Sequence, residues 1–299
     1  MAAAEGERRP DATALELIAA ATADPDIRDL LALRLQSAAA WPVEQLDARY
    51  LSALPGLLRT EPTRRVRGGN QRIAQALAER LGEERVRLST PVRAIAHGED
   101  GVRIATDGGE IEAAACIVAI PVAVLPTIAF DPPLARASAD AIGAIRTGEA
   151  AKLAAVLRAP VAPRAVMSTA DRFWAYVTTA DEAGGTVVGA WAGSAGTLDR
   201  LGARDGAGTW VERVRALWPE LDLDPAHEPV VSTWQDDPWA RGVYSVLPHV
   251  DDATARAARA APAATLHFAG EHTAEDGWTG TMEGALRSGR RAADELLGG

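Results

Sequence analysis

The chain has 299 residues, 47% of them hydrophobic, with a mean hydropathy of −0.05 and a formal charge of −10 at pH 7. That length suits a large core or two packed units, and the composition excludes a disordered chain. The acidic balance argues against nucleic-acid partners; no run approaches the ~20 apolar residues of a membrane span, and the start MAAAEGERRPDATALEL lacks the apolar stretch of a secretory signal.

Cys116 is the only cysteine, which rules out an internal disulfide framework and a multi-cysteine metal site, so no metal is expected and the setting is read as cytoplasmic. Of 31 basic residues only Lys152 is a lysine, and it sits in an apolar stretch, EAAKLAAVL. A lysine snorkelling from an edge strand is the plain reading of such a position.

Residues 11–58 carry apolar residues at helical spacing, with Asp11 and Thr13 as caps before LELIAAA. RVRGGNQRIAQALAERLG predicts a turn, a cap at Asn70 and a helix ended by Gly82. From 85 to 119 the period changes to short alternating runs divided by EDG and DGG, the pattern of a β-meander. A proline-broken loop and a short helix over 134–145 follow. Strand patterns return in AAKLAAVLR, RFWAYVTTA and GTVVGAWAG, then a helix in DGAGTWVERVRALWPEL and a strand in EPVVSTWQ. Residues 236–264 read as loop and short helix, and the chain closes on the strand TLHFAG and a helix over about 281–297. The fold class is therefore α/β (α+β mixed).

The last strand, loop and helix hold the chemistry: TLHFAGEHTAEDGWTGTMEGALRSG. A strand that ends in small residues lets a ligand approach the backbone at the carboxyl edge of a sheet. Glu271 can accept hydrogen bonds from ribityl or ribose hydroxyls. A helix starting near Gly280 directs N–H groups and a positive dipole end at an electron-rich group. An ordinary strand–helix connection with glycine turns fits the spacing equally well.

This stretch resembles the C-terminal signature of the flavin-containing amine oxidases, the monoamine, polyamine and L-amino-acid oxidase type. Four further blocks, in the family's order, carry the same resemblance: RVRGGNQRIAQALAERLG; the run from VRLSTPVRAIAH to AFDPPL; GEAAKLAAVL; and STWQDDPWARGVYSVLP. The resemblance implies FAD as cofactor and gives residues roles. Val92 contributes backbone at the adenine, and Glu271, with Gly270 before it, binds the ribityl chain. Gly280, Thr281 and Met282 form the helix start facing the flavin pyrimidine. Lys152 holds a water at flavin N5, and Tyr244 is one wall of an aromatic cage in which Trp278 substitutes for the second ring. Trp234 and Trp239 are read as core residues. Val243 stands where animal monoamine oxidases have the flavin-bonded cysteine, so the FAD is expected to be non-covalent.

The family's opening GxGxxG is not found: Gly68-Gly69, Gly108-Gly109, Gly184-Gly185, Gly193–Gly196 and GAGTWV at 206–211 do not complete it. The chain thus resembles a family member lacking that N-terminal segment. The expected organisation is a partial FAD-binding Rossmann-like domain interleaved with a substrate domain of mixed sheet plus helices: 1–66 and 136–236 in the substrate domain, 67–135 and 237–299 in the FAD-binding domain. The expected function is the C-terminal portion of an FAD-dependent oxidase that converts a small-molecule amine or L-amino acid to an imine and reduces O2 to H2O2. The alternatives are a flavin-free α/β partner protein or relic, and one subunit of a split flavoenzyme whose partner is a separate N-terminal dinucleotide-binding chain. A protoporphyrinogen-oxidase-like or desaturase-like enzyme is disfavoured by Lys152 and GWTGTMEGA. No membrane partner is expected.

Overall fold

The computed structural model describes residues 12–53, 66–179, 185–246, 265–274 and 278–298. Two helices open the described chain, α1 (Ala14–Ala21) and α2 (Pro25–Ala39). Thr13 accepts from Glu16 N while Glu16 reaches back to the Thr13 N–H, a closed capping box that fixes the start of α1. Asp24 caps α2 with Pro25 at its first position, where a missing N–H costs nothing. The predicted cap Asp11 lies outside the described residues. Helix α3 (Gln71–Leu81) follows the Gly68-Gly69 turn and stops at Gly82, whose φ of +94° suits glycine; Asn70 holds the cap position without a side-chain hydrogen bond.

The meander forms from Val92 onward; the alternating run RVRLS at 85–89 is not a strand, and Cys116–Val118 leaves the meander to pair elsewhere. Strands β1 (Val92–Gly98), β2 (Gly101–Thr106) and β3 (Gly109–Ala113) run antiparallel. After β4 (Cys116–Val118), strand β5 (Ala129–Asp131) joins β1 in parallel, and helix α4 (Arg136–Ala144) follows. Ile95, Val118, Leu125, Ile128, Leu266 and Phe268 pack into one core under this sheet.

The larger sheet is antiparallel throughout. After the short β6 (Arg146–Thr147) come β7 (Ala150–Leu157), β8 (Arg164–Ser168), β9 (Phe173–Thr179) and β10 (Thr186–Gly193). Helices α5 (Ala195–Arg200) and α6 (Gly208–Leu217) precede β11 (Val230–Thr233), and the sheet order is β11-β7-β10-β9-β8. Its strands alternate with period two, so one face takes Ala151, Leu153, Phe173, Ala175, Val188 and Ala190 into a core closed by Leu198, Trp210 and Val214 of the helices. Phe173 and Trp210 meet edge to face with centroids 6.0 Å apart. The other face carries Lys152, Trp174, Tyr176 and Trp191, exposed or half-buried.

The chain ends with β12 (Ser245–Val246), paired to β6, β13 (Leu266–Phe268), parallel to β4, and α7 (Met282–Leu297). The reading of 236–264 as loop and short helix falls outside the described residues from 247 onward.

Candidate functional site

The apolar block ahead of Gly270 forms β13, and the turn that follows needs glycine, with φ of +123° at Gly270. The Gly270 N–H donates to Ser288 Oγ on α7 at 2.9 Å, which brings the strand end against the helix. Glu271 comes next and points back into the protein. Its Oε1 accepts from Ser245 N at 2.9 Å; its Oε2 accepts from Ser245 Oγ and from Gly280 N, both at 2.7 Å. One carboxylate thus joins β12, the strand end and the turn before α7. Four lone-pair positions with three filled leave room for one further donor, such as a ribityl hydroxyl.

Thr281 caps α7: its Oγ1 accepts from Gly284 N at 3.0 Å and donates to Trp278 O at 2.6 Å. Gly284 is buried where a Cβ would stand 2.1 Å from Trp278 O. The helix therefore packs its first turn directly on the Trp278 backbone. Trp278 keeps 37% of its surface exposed, with the Arg287 guanidinium 4.6 Å from its ring centroid. Met282, at the first helical position, is exposed beside it. The Thr281 N–H donates to Trp278 O at 3.2 Å and that of Gly284 to Thr281 Oγ1, so the first-turn N–H groups placed to suit an electron-rich flavin ring are those of Met282 and Glu283.

Tyr244 stands at the entry to β12. A Cβ on Gly280 would lie 3.7 Å from its ring, so the ring rests on that turn. Its backbone carbonyl accepts from Gly148 N at 2.9 Å, four residues before Lys152. Its hydroxyl donates to Ala38 O at 2.6 Å. Burial, with lesser contributions from Tyr50 and Glu271, raises the pKa of that hydroxyl, which keeps it a donor.

Lys152 lies in the middle of β7 between Trp191 on β10 and Ser232 on β11. Its Nζ is 5.8 Å from the Trp191 ring centroid. Trp191 Nε1 donates to Ser37 O at 2.9 Å, and its ring lies 6.3 Å from that of Trp234. Two carbonyls of the last turn of α2, which lack intrahelical partners, are therefore satisfied by the Trp191 indole and the Tyr244 hydroxyl. A third, from the helix-ending Ala40, takes the N–H of Glu149 at 3.0 Å.

Val92 starts β1 and packs on the core shared by Leu266 and Phe268, so it connects to Gly270 through that core. Trp234 stays half-buried, but Trp239 is 56% exposed and does not belong to the core. The turn of Asp237 to Arg241, where the Trp239 N–H donates to the Asp237 carboxylate at 2.8 Å, holds the indole outside.

The sequence reading omitted Ser245, Gly284 and Trp191. Ser245 follows Tyr244 directly, and a buried serine between apolar residues signals a partner. Gly284 is a glycine inside a strong helix pattern, a position that asks for a close approach. Trp191 is visible only once the register sets it opposite Lys152.

His272 is buried beside Glu271 and Arg291, and burial lowers its pKa, with Arg291 adding to the fall and Glu271 opposing it. A histidine held neutral in the fold binds more protons when unfolded. Its contribution to stability is complete above the ordinary histidine pKa of about 6.5 and is lost as pH falls from there toward the folded value. Urea unfolding between pH 8 and 5 is expected to show this loss, and His272→Gln to flatten it. An unchanged slope in the variant refutes the assignment.

The residues found here fit a flavin: one carboxylate position remains for a hydroxyl, and a capped helix start is aimed outward. A family model described as flavin-containing amine oxidoreductase matches residues 12–297. A Mycobacterium tuberculosis protein, provisionally named flavin-containing monoamine oxidase AofH, is 31% identical over 263 residues, covering 83% of this chain and 57% of its own. Putrescine oxidase of Kocuria rosea is 29% identical over 270 residues, with 79% and 53% covered. The chain thus spans a little over half the length of these curated relatives. A solved structure of wild-type putrescine oxidase with putrescine bound superposes with a TM-score of 0.84 at 23% identity, over 97% of this chain and 68% of that one. Among the described residues no helix is long and apolar enough to cross a membrane. With the match running from the α1 cap to the end of α7, the chain belongs to the flavin-containing amine oxidoreductase family.

Proposed function

We propose that the chain is the C-terminal portion of an FAD-dependent amine oxidase, acting on an amine or L-amino acid with O2 as electron acceptor. The observation that carries this reading is the Glu271 hub, which joins Ser245, beside Tyr244, to Gly280, before the α7 start, while Tyr244 O is bonded to Gly148 at the entry to the strand of Lys152. When bound, FAD would supply the redox chemistry, a two-electron oxidation of the amine coupled to the reduction of oxygen.

The chain's own residues bind and orient. Glu271 and the turn at Gly270 would hold the ribityl chain, and the Met282 N–H in the first turn of α7, which Thr281 caps, would stabilise negative charge on the ring system. Val92 supports the adenine side. Tyr244 and Trp278 exclude water around the amine and shape its approach. Lys152 holds a water where oxygen reacts. The FAD is non-covalent, since Val243 offers no thiol and Cys116 lies on β4. The pyrophosphate is held by a GxGxxG segment on the same or a separate chain, and 67–135 and 237–299 complete that dinucleotide-binding unit while 1–66 and 136–236 cover the substrate. The setting is cytoplasmic.

Co-expression of the chain with a family GxGxxG segment should give a yellow protein that releases its flavin on denaturation and makes peroxide from an amine. Lys152→Met in that protein is expected to slow peroxide formation by about 100-fold, as loss of one positioned donor does, while FAD retention is unchanged. A colourless, soluble complex sinks the reading, and equal loss of flavin and turnover in the variant sinks the role of Lys152.

A further inference from the structure

The register sets two rows of side chains across the face of the larger sheet opposite its core, a face whose Gly193 end lies against α2. One row runs Met167, Trp174, Trp191, Lys152 from β8 through β9 and β10 to β7, and the next places Tyr176 beside Gly189. Trp174 and Tyr176 lie two residues apart with ring centroids 4.8 Å apart and planes tilted by 32°. Tyr176 can lie across β10 because Gly189 has no side chain: a Cβ there would sit 2.5 Å from the ring. With strands about 4.8 Å apart, the Trp174 end of the row stands about 10 Å from the lysine.

Resting on the oxidase reading above, we propose that this row is the wall for the body of the substrate, and that it selects a monoamine with a flat apolar ring over a diamine. The amine end lies toward Lys152, where the reaction is placed, and the far end meets Trp174 and Tyr176. Those two rings offer broad apolar area and stacking geometry. The described strand positions of this face, on β7, β8, β9, β10 and β11, carry no carboxylate to meet a second ammonium. Rings also attract cations, but the Trp191 ring is already faced by the Lys152 ammonium.

The test titrates the 299-residue chain with benzylamine and with putrescine while following tryptophan fluorescence, and then compares the two amines as substrates of the FAD-loaded protein. Saturable quenching by benzylamine is expected, and none by putrescine over the same range. Trp174→Ala and Gly189→Val, the second of which leaves the buried face of the sheet untouched, should each weaken benzylamine by about tenfold, the scale on which apolar pockets discriminate. Equal response to both amines, no response to benzylamine, or parental affinity in both variants overturns the wall. So does a dimer of the chain that shields these tryptophans from the amine. Benzylamine binding without peroxide from any amine overturns the oxidase reading and leaves the wall standing; peroxide formed faster from putrescine than from benzylamine does the reverse.

Discussion

Gly284→Ala is expected to destabilise the chain by about 2 kcal/mol, while Gly289→Ala, five residues along the same helix, stabilises it by about 0.5–1 kcal/mol. Both positions gain the helix preference of alanine over glycine. At Gly289 the added Cβ meets nothing within 4 Å, so that preference is the whole effect. At Gly284 it would stand 2.1 Å from Trp278 O and 2.8 Å from Ala274 Cβ, and a backbone oxygen cannot yield as a side-chain end can. The helix start must then move off the Trp278 turn, and the Thr281 hydroxyl loses its bond to Trp278 O. Urea unfolding of the two variants beside the parent chain reads the sign directly. A Gly284→Ala chain as stable as the parent shows that α7 does not seat on that turn. In a flavin-loaded protein the same variant should also lower FAD retention.

The second large effect is expected at Glu271. Glu271→Ala removes the acceptor of Ser245 N, Ser245 Oγ and Gly280 N together, and Ser245 is only 4% exposed. Buried donors left without partners cost about 1–3 kcal/mol each, so a total near 3 kcal/mol is expected after local relaxation. Glu271→Gln keeps one acceptor oxygen and should cost about half as much. A double-mutant cycle with Ser245→Ala isolates the link and should show coupling of about 1 kcal/mol or more. If Glu271→Ala costs under about 0.5 kcal/mol, the carboxylate is no hub. The two variants also separate the structural task from ribityl binding, because glutamine can still accept from a hydroxyl. FAD retained by Glu271→Gln and lost by Glu271→Ala is the expected pattern.

Much of the secondary structure was legible because local rules decide it. The Thr13 box, the Asp24-Pro25 start, Gly82 after α3 and the Thr281 cap are short-range signals, and each marks an observed boundary. The period of two in EAAKLAAVL sets Lys152 on the face opposite Leu153. The candidate site was legible as residues and not as connections. Glu271 and Ser245 are 26 positions apart, Trp191 and Ser37 154, Tyr244 and Ala38 206. No periodicity encodes such pairings, because they are set by which sheet edge meets which helix end. Trp239 shows the same limit from the other side: a large apolar residue reads as core until a local turn of Asp237 carries it outward.

The end of α2 has a further consequence. Trp191 lies on β10 and Tyr244 at the entry to β12, yet both are moored to successive carbonyls of one helical turn. Their mutual position is therefore inherited from a segment that contributes no reacting group. Lengthening or shortening the 40–48 connection behind that turn would shift both rings in concert before it disturbed the sheet that bears one of them. A change of loop there can thus move both rings while every residue of the candidate site stays the same.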